Sequence, residues 1–438
     1  MLIVWASPEV PAGSGGGSRR PADTARRLGD PFRPSHTLAG VAPSPREVAS
    51  VYAGASDNRK ARLLAPSYGF LSTHPPTQCG LATFNAALTS HLTEGGASHG
   101  VVRVTTGTDD HHPGSGVVHT WAARGIAGWR DAAVALNDFD VAIVQHEYGI
   151  YPGPDGRDVL LLLRCLGGPS IVVLHTVLTR PTARQKALLE QIVAAAGAVV
   201  TMTDVARNRL LGGYTVDSTK VSVIPHGAAK HVRAPSGARQ RPHLLTWGLL
   251  GPGKGIEWAL RALATLNDLD PAPMYTVAGK THPKVLEHHG EAYRAGLHRL
   301  GAQLGVSTAV RYDPVYRDED SLSHLISSAD VVVLPYDSRE QVTSGVLIEA
   351  VAAGVPVVAT RFPHAVELLT GGPGLLVPHQ NPAALAAAVR RILTEPGLAA
   401  GLAGRTRTPT LLWPAVAARY HALAHRLLAE WRPTAAAA

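Results

Sequence analysis

Short apolar runs alternate with amphipathic segments from residue 68 onward. In the first half of this region, six runs have the length and the apolar content of buried strands, and three segments between them have a helical period. The predicted strands are Tyr68–Ser72, Gly100–Thr106, Val141–Gln145, Ser170–His175, Ala198–Thr203 and Val221–Pro225. The predicted helices are Ala82–His91, Gly156–Leu166 and Arg184–Ala195.

The same rhythm restarts after Ala228–Pro242, a basic and aperiodic segment that we interpret as an interdomain linker. The predicted strands here are Leu244–Trp247, Tyr275–Ala278, Val310–Tyr312, Val331–Leu334 and Val355–Thr360. The predicted helices are Gly255–Asn267, Glu291–Gly301, Ser321–Ser327, Ser344–Ala353, Ala383–Leu393 and a last one over Trp413–Trp431. Alternating strands and helices at this spacing predict parallel sheets with helices on both faces.

These elements predict an α/β protein with two Rossmann-like, doubly wound domains, which suits a chain of 438 residues. Residues 1–60 are rich in Gly, Pro, Ser and Arg and predict a flexible extension. We place an N-terminal domain at 61–232 and a C-terminal domain at 233–412. A final helix at 413–432 is expected to cross back towards the N-terminal domain.

Charge and cysteine content narrow the range of partners. The net charge of +8 comes from scattered basic residues, so we predict no nucleic-acid partner, while attraction to anionic membranes or phosphorylated substrates stays open. Cys79 and Cys165 are too few for a disulfide framework or a zinc site. No run approaches the ~18 apolar residues of a transmembrane helix. We predict a cytoplasmic protein, with peripheral contact at the inner membrane face as a separate hypothesis.

The residues after the strand Val331–Leu334 predict a phosphate and ribose site. A polar turn ends in Ser344-Gly345 and opens an apolar helix that carries Glu349. Unpaired N–H groups at a helix N-terminus hold phosphate oxygens, and a carboxylate one turn further can accept hydrogen bonds from ribose hydroxyls. Because a buried carboxylate is costly unless paired, an ion pair between Glu349 and a neighbouring arginine is the structural alternative.

A second phosphate-binding segment is the glycine-rich loop Trp247–Gly255, which contains Lys254 at the start of a helix. A lysine in this position can clamp phosphate oxygens together with backbone amides. The loop is not a P-loop, because Gly255 stands where a P-loop has Ser or Thr. The structural alternative is a lysine that is simply solvated at the helix start.

Polar residues in the first half follow predicted strands, where open α/β sheets bind ligands. The loop Ser72–Phe84 contains Gly80, which lets a ligand approach the backbone. Gln145–Gly149 and His175 end two later strands. His175 could hydrogen-bond a sugar hydroxyl or the developing charge at the reacting carbon, or it could be structural. No G-x-G-x-x-G fingerprint occurs, so we predict no dinucleotide cofactor.

Metal binding is not predicted. Asp138–Asp140 and Asp268–Asp270 contain aspartates spaced as in metal-binding pairs, but each lies beside a strand or a turn, where solvated carboxylates are expected. Asp109–His112 lies in a loop without a partner cluster.

Taken in order, these motifs resemble the retaining, GT-B-fold glycosyltransferases of family 4, also called the group 1 family. The resemblance covers residues from about 67 to 430 and is strongest over Pro335–Pro378. A narrower subgroup is similar at Pro75–Gly80, Gln145–Gly149, Gly248–Leu250 with Lys254-Gly255, and Thr281–Pro283.

The resemblance implies two domains facing across a cleft, with a nucleotide-diphosphate sugar bound by the C-terminal domain and a hydroxyl acceptor by the N-terminal domain. The implied catalytic residues are His175, Lys254 and Glu349. The implied donor-binding residues are Gly80, Gly248, Lys254, Gln341, Ser344, Gly345, Val346, Leu347 and Glu349. We take Gln78, His146, Glu147 and Tyr148 as acceptor-side candidates.

Two positions depart from the family pattern. Gln341 stands where the family's E-x7-E motif has its first Glu, with Glu340 one residue away, and Leu249 replaces an Arg that precedes the lysine. Arg361 or another base could supply the missing phosphate contact. These departures motivate an alternative, a degenerate transferase that acts as a non-catalytic nucleotide-sugar-binding or scaffolding subunit. An NAD-dependent epimerase is disfavoured, because the required fingerprint and a Tyr-x-x-x-Lys pair are missing.

The leading hypothesis is therefore retaining transfer of a hexose to a saccharide or lipid-linked hydroxyl. It requires no metal and no cofactor besides the nucleotide-sugar substrate.

Overall fold

The structure is a computed structural model that describes residues 66–105, 114–122, 128–231, 240–406 and 408–431. The predicted extension at 1–60, residues 232–239 of the predicted linker and the whole Asp109–His112 segment lie outside these ranges. Both sheets described below belong to one compact unit. Within the described ranges, none of the helices combines the length and the apolar content that a membrane crossing requires.

The first sheet has seven parallel strands in the order β3-β2-β1-β4-β5-β6-β7, so the strand order reverses between β1 and β4. Its strands are β1 Tyr68–Ser72, β2 His99–Thr105, β3 Val117–Ala122, β4 Val141–His146, β5 Ser170–Leu174, β6 Ala198–Thr201 and β7 Val221–Val223. The helices that accompany them are α1 Gly80–Thr93, α2 Gly128–Leu136, α3 Asp158–Leu163, α4 Ala183–Ala195 and α5 Asp204–Gly213.

The second sheet has six parallel strands in the order β10-β9-β8-β11-β12-β13 and reverses between β8 and β11. Its strands are β8 His243–Trp247, β9 Met274–Ala278, β10 Val310–Asp313, β11 Val331–Leu334, β12 Val357–Thr360 and β13 Gly374–Val377. The helices are α6 Ile256–Ala264, α7 Pro283–His289, α8 Ala292–Gln303, α9 Glu319–Ser327, α10 Gly345–Ala352, α11 Pro363–Leu369, α12 Pro382–Thr394 and α13 Leu398–Ala403.

The central strands are buried on both faces, because helices cover each side of a parallel sheet. Every residue of β11 is at most 2 % exposed, as its unbroken apolar run predicts. One further helix, α14 (Trp413–Glu430), packs into the cluster formed by Tyr68, Phe70 and Phe84 of the first half. The C-terminal end of the described chain therefore contacts the first sheet.

All eleven predicted strands correspond to observed strands whose ends lie within two residues of the prediction. The sequence analysis missed β3 and β13, one edge strand of each sheet, and found the opposite edge strands β7 and β10. An edge strand is less covered than a central one, and Val118 in β3 is 54 % exposed. Polar residues therefore interrupt the apolar pattern of β3. The short helices α2, α5, α7, α11 and α13 were also missed.

Candidate functional site

A cleft of about 260 Å³ lies between the carboxyl edges of the two sheets. One wall comes from the loops after β8, β9 and β11 and from the start of α10, and the other from α1 and the end of β5. Open α/β sheets bind ligands where the strand order reverses, and these loops flank both reversals. The predicted site residues that line the cleft are Gly80, His175, Gly248, Lys254, Gln341, Ser344, Gly345, Val346 and Glu349.

Lys254 supplies a positive charge on the second-sheet wall. Its Nζ lies 4.4 Å from the ring centre of Tyr336, and the side chain is half-buried. Burial lowers the pKa of Lys254 to about 8. The amine is still mostly protonated at neutral pH, and a bound anion would raise its pKa again. Among the described residues, no carboxylate is paired with this ammonium group, so it is available to a ligand.

Gly255 explains why this loop differs from a P-loop. Its backbone is left-handed, with φ of 64°, and a Cβ at this position would lie 1.8 Å from the carbonyl oxygen of Pro335. Only glycine fits both conditions. The loop is thus held against the end of β11, which brings Lys254 next to the turn that opens α10.

Two backbone amides in the first turn of α10 are unpaired as far as the described residues go. Ser344 caps the helix, since its Oγ accepts a hydrogen bond from the Leu347 amide at 3.2 Å. The Ser344 amide donates to Nδ1 of His364 at 2.8 Å. The amides of Gly345 and Val346 have no acceptor among the described residues. Leu347 was predicted to bind phosphate, but it is fully buried and its amide donates to Ser344 Oγ. Of the four amides from Ser344 to Leu347, those of Gly345 and Val346 therefore remain available to a phosphate.

The carboxylate of Glu349 is held by a histidine of the predicted linker segment. His231 Nε2 lies 2.6 Å from Glu349 Oε2, and the other ring nitrogen of His231 lies 2.9 Å from Ser323 Oγ. The Ala229 amide donates to the same carboxylate at 3.3 Å. Burial raises the pKa of Glu349, and the contact with His231 opposes that shift. The arginine partner considered for Glu349 is wrong: its partner is His231.

Gln341 lies in the cleft wall at the position where the family motif has a glutamate. Its side-chain NH2 group donates to the Thr343 backbone carbonyl at 3.1 Å, and the backbone carbonyl of Gln341 accepts from the His364 backbone amide at 3.2 Å. The hydroxyl of Thr343 is buried and has no hydrogen-bond partner within the part of the chain that the structure describes. Gln341 therefore braces the turn before α10 and presents no negative charge to the cleft.

The missing arginine at Leu249 is not replaced by Arg361. Arg361 is exposed and does not line the cleft. Arg317 does line it, but its guanidinium is paired with Asp313. Within the described ranges, the ammonium of Lys254 is thus the unpaired cation of this wall.

His175 lies on the opposite wall and is 7 % exposed. Its Nε2 lies 2.8 Å from Oε1 of Gln145, and the edge of its ring packs against Phe84, with ring centres 4.9 Å apart. Burial lowers the pKa of His175 well below its usual value. The imidazole is therefore neutral and held in one orientation beside the helix start at Gly80.

Three acceptor-side candidates are buried and do not line the cleft. Glu147 is buried, and its carboxylate accepts hydrogen bonds from the Tyr148 amide at 2.9 Å and from Thr176 Oγ1 at 2.6 Å. Burial raises the pKa of Glu147. His146 and Tyr148 are buried with it and stack edge to face, 5.1 Å apart. In this structure, these three side chains pack in the interior and stabilise the turn after β4 through local contacts.

Gln78, the fourth candidate, bridges the two halves of the molecule. Its Oε1 accepts a hydrogen bond from Lys280 Nζ at 2.8 Å. A neighbouring bridge joins Thr83 Oγ1 and the Tyr316 hydroxyl at 2.8 Å. Gln78 therefore stands at the rim where the halves meet and does not line the cleft.

The sequence analysis missed His226 and His231, which both line the cleft. His226 follows β7, and its Nδ1 donates to the carbonyl of Gly227 at 2.6 Å. A Cβ on Gly345 would lie 2.8 Å from its Nε2. The strand-end position of His226 was a usable signal, as it was for His175. His231 lies in an aperiodic segment, and no pattern in the sequence identifies it.

The fold and the site can now be compared with known proteins. Residues 241–395 match the family described as Glycosyl transferases group 1. A D-inositol 3-phosphate glycosyltransferase of Frankia alni is 30 % identical over 278 residues, which cover 57 % of this chain and 67 % of the relative. The chain belongs to the group 1 glycosyltransferase family. This confirms the family expected from the motifs.

A second group 1 relative with the same name, from Streptomyces bingchenggensis, is 33 % identical over 228 residues. The alignment covers 48 % of this chain and 48 % of that protein. The chain spans about half the length of the curated relatives it matches.

Solved structures identify the fold of this group 1 member. Sucrose-phosphate synthase from Thermosynechococcus elongatus superposes with a TM-score of 0.67 at 20 % identity, over 84 % of this chain and all of that one. HepE of Anabaena, in complex with UDP and glucose, superposes with a TM-score of 0.62 at 17 % identity, over 83 % and 98 % of the two chains. The predicted GT-B fold, with two Rossmann-like domains, is confirmed.

Proposed function

We propose that this protein is a retaining hexosyltransferase that moves a hexose from a nucleotide-diphosphate sugar to a hydroxyl acceptor without a metal ion. One observation carries the proposal. The ammonium of Lys254 and the amides of Gly345 and Val346, which have no hydrogen-bond or ion-pair partner among the described residues, line one wall of a cleft together with the carboxylate of Glu349, and this wall faces His175.

The second-sheet wall suits a nucleoside diphosphate. Lys254 and the two amides would neutralise the diphosphate, both when the donor binds and when the diphosphate leaves. Glu349 would accept hydrogen bonds from the ribose hydroxyls one helical turn away. His231, which now holds that carboxylate, would keep it oriented or give way to the sugar.

The transfer step needs no enzyme nucleophile. The bond between the anomeric carbon and the phosphate oxygen would lengthen first. The acceptor hydroxyl would then enter on the same face and pass its proton to the departing oxygen. Among the described residues, the carboxylates that line the cleft are Glu319 and Glu349, both on the second-sheet side. This arrangement differs from the paired carboxylates of a retaining glycosidase.

Metal independence is part of the proposal. The described part of the chain contains no group of three or more His, Cys, Asp or Glu side chains arranged to hold a metal ion. The charge on the leaving diphosphate would then be balanced by Lys254 and the helix amides. Transfer that persists in excess EDTA would support this step, and transfer that depends on added Mg²⁺ or Mn²⁺ would contradict it.

The comparisons suggest the first substrates to test. HepE of Anabaena was crystallised with UDP and glucose, and the relatives are named for transfer to D-inositol 3-phosphate. We therefore start with UDP-hexoses as donors and phosphorylated polyols as acceptors, followed by GDP- and ADP-sugars and by saccharide or lipid-linked hydroxyls.

The experiment measures product formation from each donor and acceptor pair and determines the anomeric configuration of the product by NMR. We expect a product with the donor's configuration, and turnover that falls by about a hundredfold or more in Lys254→Ala and Glu349→Ala. Lys186→Ala, an exposed lysine on α4, is the matched control and should behave as wild type. An inverted product would refute the retaining step, and wild-type turnover in both cleft variants would refute the site.

The same assay distinguishes catalysis from the non-catalytic alternative. That alternative predicts calorimetric binding of a nucleotide sugar without transfer or hydrolysis for any acceptor. Leu249 and Gln341 are the residues that motivate it, and no contact in the cleft favours it over catalysis.

We extend the proposal to the protein's location. Both cysteines are unpaired, which suits a reducing cytoplasm, and the basic surface would favour peripheral contact with an anionic membrane. Flotation with anionic liposomes at low salt tests this contact, and recovery of all the protein in the unbound fraction would exclude it.

A further inference from the structure

A chain of buried polar side chains runs under the first-sheet wall and ends at His175. It joins the loop after β1, helix α1, the end of β4 and the end of β5. The members are His74, Asn85, Gln145 and His175, and each is at most 7 % exposed. His175 faces the proposed donor-binding wall, and the proposed chemistry assigns no role to the other three side chains.

The contacts along this chain are continuous. Asn85 Nδ2 lies 3.1 Å from His74 Nδ1, and Gln145 Nε2 lies 3.5 Å from Asn85 Oδ1. Gln145 Oε1 then lies 2.8 Å from His175 Nε2. At its far end, His74 hydrogen-bonds with the backbone of Ser115. That contact favours the protonated ring, which identifies the Ser115 carbonyl as the acceptor.

The Ser115 carbonyl at the far end fixes the donor-to-acceptor direction of every hydrogen bond in this series of side chains. Burial lowers the pKa of His74 to about 4, so the ring is neutral and carries a single N–H, which donates to Ser115. His74 Nδ1 must then accept from the amide nitrogen of Asn85. The Asn85 oxygen consequently faces the Gln145 nitrogen, and the Gln145 oxygen faces His175. An oxygen in that position requires a hydrogen on His175 Nε2.

The reverse direction is disfavoured by the same contacts. If Gln145 turned its nitrogen to His175, its oxygen would face the oxygen of Asn85 unless that amide also turned. Turning Asn85 would place its oxygen against His74 Nδ1, which would then need the hydrogen. The other ring nitrogen of His74 would lose its hydrogen and would face the Ser115 carbonyl, acceptor against acceptor.

We propose that Gln145, supported by Asn85 and His74, is a positioning residue that fixes His175 as the Nε2–H tautomer and leaves Nδ1 to accept a hydrogen bond from a substrate hydroxyl. Nδ1 of His175 has no partner among the described residues, and the ring lines the cleft. Edge-to-face packing on Phe84 fixes the plane of the ring. His175 would thus bind a hydroxyl hydrogen and would not donate to an oxygen.

The kinetic consequence rests on the proposed function, whereas the tautomer does not. We label the protein with ¹⁵N-histidine, record long-range ¹H–¹⁵N spectra, and assign His175 by its loss in His175→Asn. The expected pattern is that of an Nε2–H imidazole. In Gln145→Met the acceptor is lost at similar side-chain length, and the pattern is expected to shift towards a mixture of tautomers. An Nδ1–H pattern in wild type would overturn the proposal.

Transfer kinetics provide the second readout. We expect kcat of Gln145→Met to fall by about tenfold to a hundredfold while the Kd for UDP is unchanged, because the nucleotide wall is on the other sheet. Thr89→Val is the matched control, since its hydroxyl bonds only the Asn85 carbonyl of the same helix, at 2.7 Å. It should keep both kcat and the His175 spectrum.

Wild-type kcat in a folded Gln145→Met would overturn the positioning role. If wild type itself transfers no sugar, the proposed function fails, and the spectrum still decides the tautomer.

Discussion

Replacing Lys254 by methionine removes the ammonium group from the cleft while keeping most of the side chain's length. In the structure this ammonium lies 4.4 Å from the ring centre of Tyr336 and has no carboxylate partner among the described residues. The methionine can keep the contact with the Tyr336 ring, so the variant should keep the loop shape that Gly255 imposes. The substitution therefore tests the charge.

The size of the effect follows from the electrostatics of the cleft. Two unit charges about 4 Å apart at an effective dielectric constant of about 20 interact by about 4 kcal/mol. Since each 1.4 kcal/mol is about a factor of ten, the full interaction corresponds to roughly a thousandfold. The amides of Gly345 and Val346 share the diphosphate, so we expect kcat/KM to fall by about 10²- to 10³-fold.

The pH dependence of UDP binding gives a sharper signature than the rate. Burial lowers the pKa of free Lys254 to about 8, so the charge is lost as the pH rises through that value. Calorimetry should show UDP binding to wild type weakening between about pH 7 and about pH 9, while Lys254→Met shows a flat profile. The control Lys186→Met should retain the wild-type slope.

The same substitution should stabilise the empty protein. The amine has a pKa of 10.5 when unfolded and about 8 when folded, so the unfolded state binds more protons between those values. The free energy of unfolding therefore rises with pH across that window. Below the window, the folded protein bears the full free-energy cost of burying the charged amine. A difference of this size is on the order of 3 kcal/mol. Lys254→Met should melt at a higher temperature than wild type at neutral pH without ligand.

Two results would refute this reasoning. One is wild-type turnover by Lys254→Met. The other is a wild-type pH dependence of UDP binding in that variant, which would assign the titration to another group.

Three further outcomes follow from contacts elsewhere. Glu349→Gln should weaken UDP binding by about tenfold or more in calorimetry but leave pyrophosphate binding unchanged, because pyrophosphate has no ribose; equal losses for both would contradict the ribose role. The Glu367 carboxylate caps α5 by accepting from the amides of Asp204 and Val205 at 3.0 and 2.7 Å. Glu367→Ala should cost about 1 kcal/mol and speed hydrogen exchange at those amides, and unchanged exchange would exclude the cap. Trp413→Ala should lower the unfolding free energy by about 3 kcal/mol or more in denaturant titrations, because the ring is 3 % exposed; a loss below about 1 kcal/mol would mean that α14 adds little.

The central strands were predictable because a parallel strand covered on both faces must be an unbroken apolar run. β11 is such a run, and its predicted and observed bounds coincide. β3 was not predictable to the same degree, because its open edge position allows polar residues within the strand, whereas the apolar β13 was missed for a reason that its edge position does not explain. Position in the sheet, which the local sequence does not encode, decided the pattern of β3.

Part of the candidate site was also readable from local patterns. Lys254 and Gly345 lie at helix starts, Glu349 lies one turn into α10, and His175 lies at a strand end. Parallel strands bring such positions to one edge of a sheet, so motifs far apart in sequence could be assigned to the same cleft. The structure places all four there.

The pairing of side chains was not readable in this way. Glu349 lies 118 residues from His231, and His175 lies 30 residues from Gln145. The acceptor-side residues His146, Glu147 and Tyr148 have the strand-end position that predicts a site, yet neighbouring elements bury them.

By itself, the sequence determined the two α/β halves, their central strands and the helix-start and strand-end groups of the cleft, because these depend on apolar periodicity and on backbone geometry within a few residues. Tertiary structure alone decided which carboxylate meets which histidine, which amides stay unpaired and which polar side chains are buried. The physical reason is that hydrogen bonding and desolvation are set by neighbours that the chain brings together from distant positions.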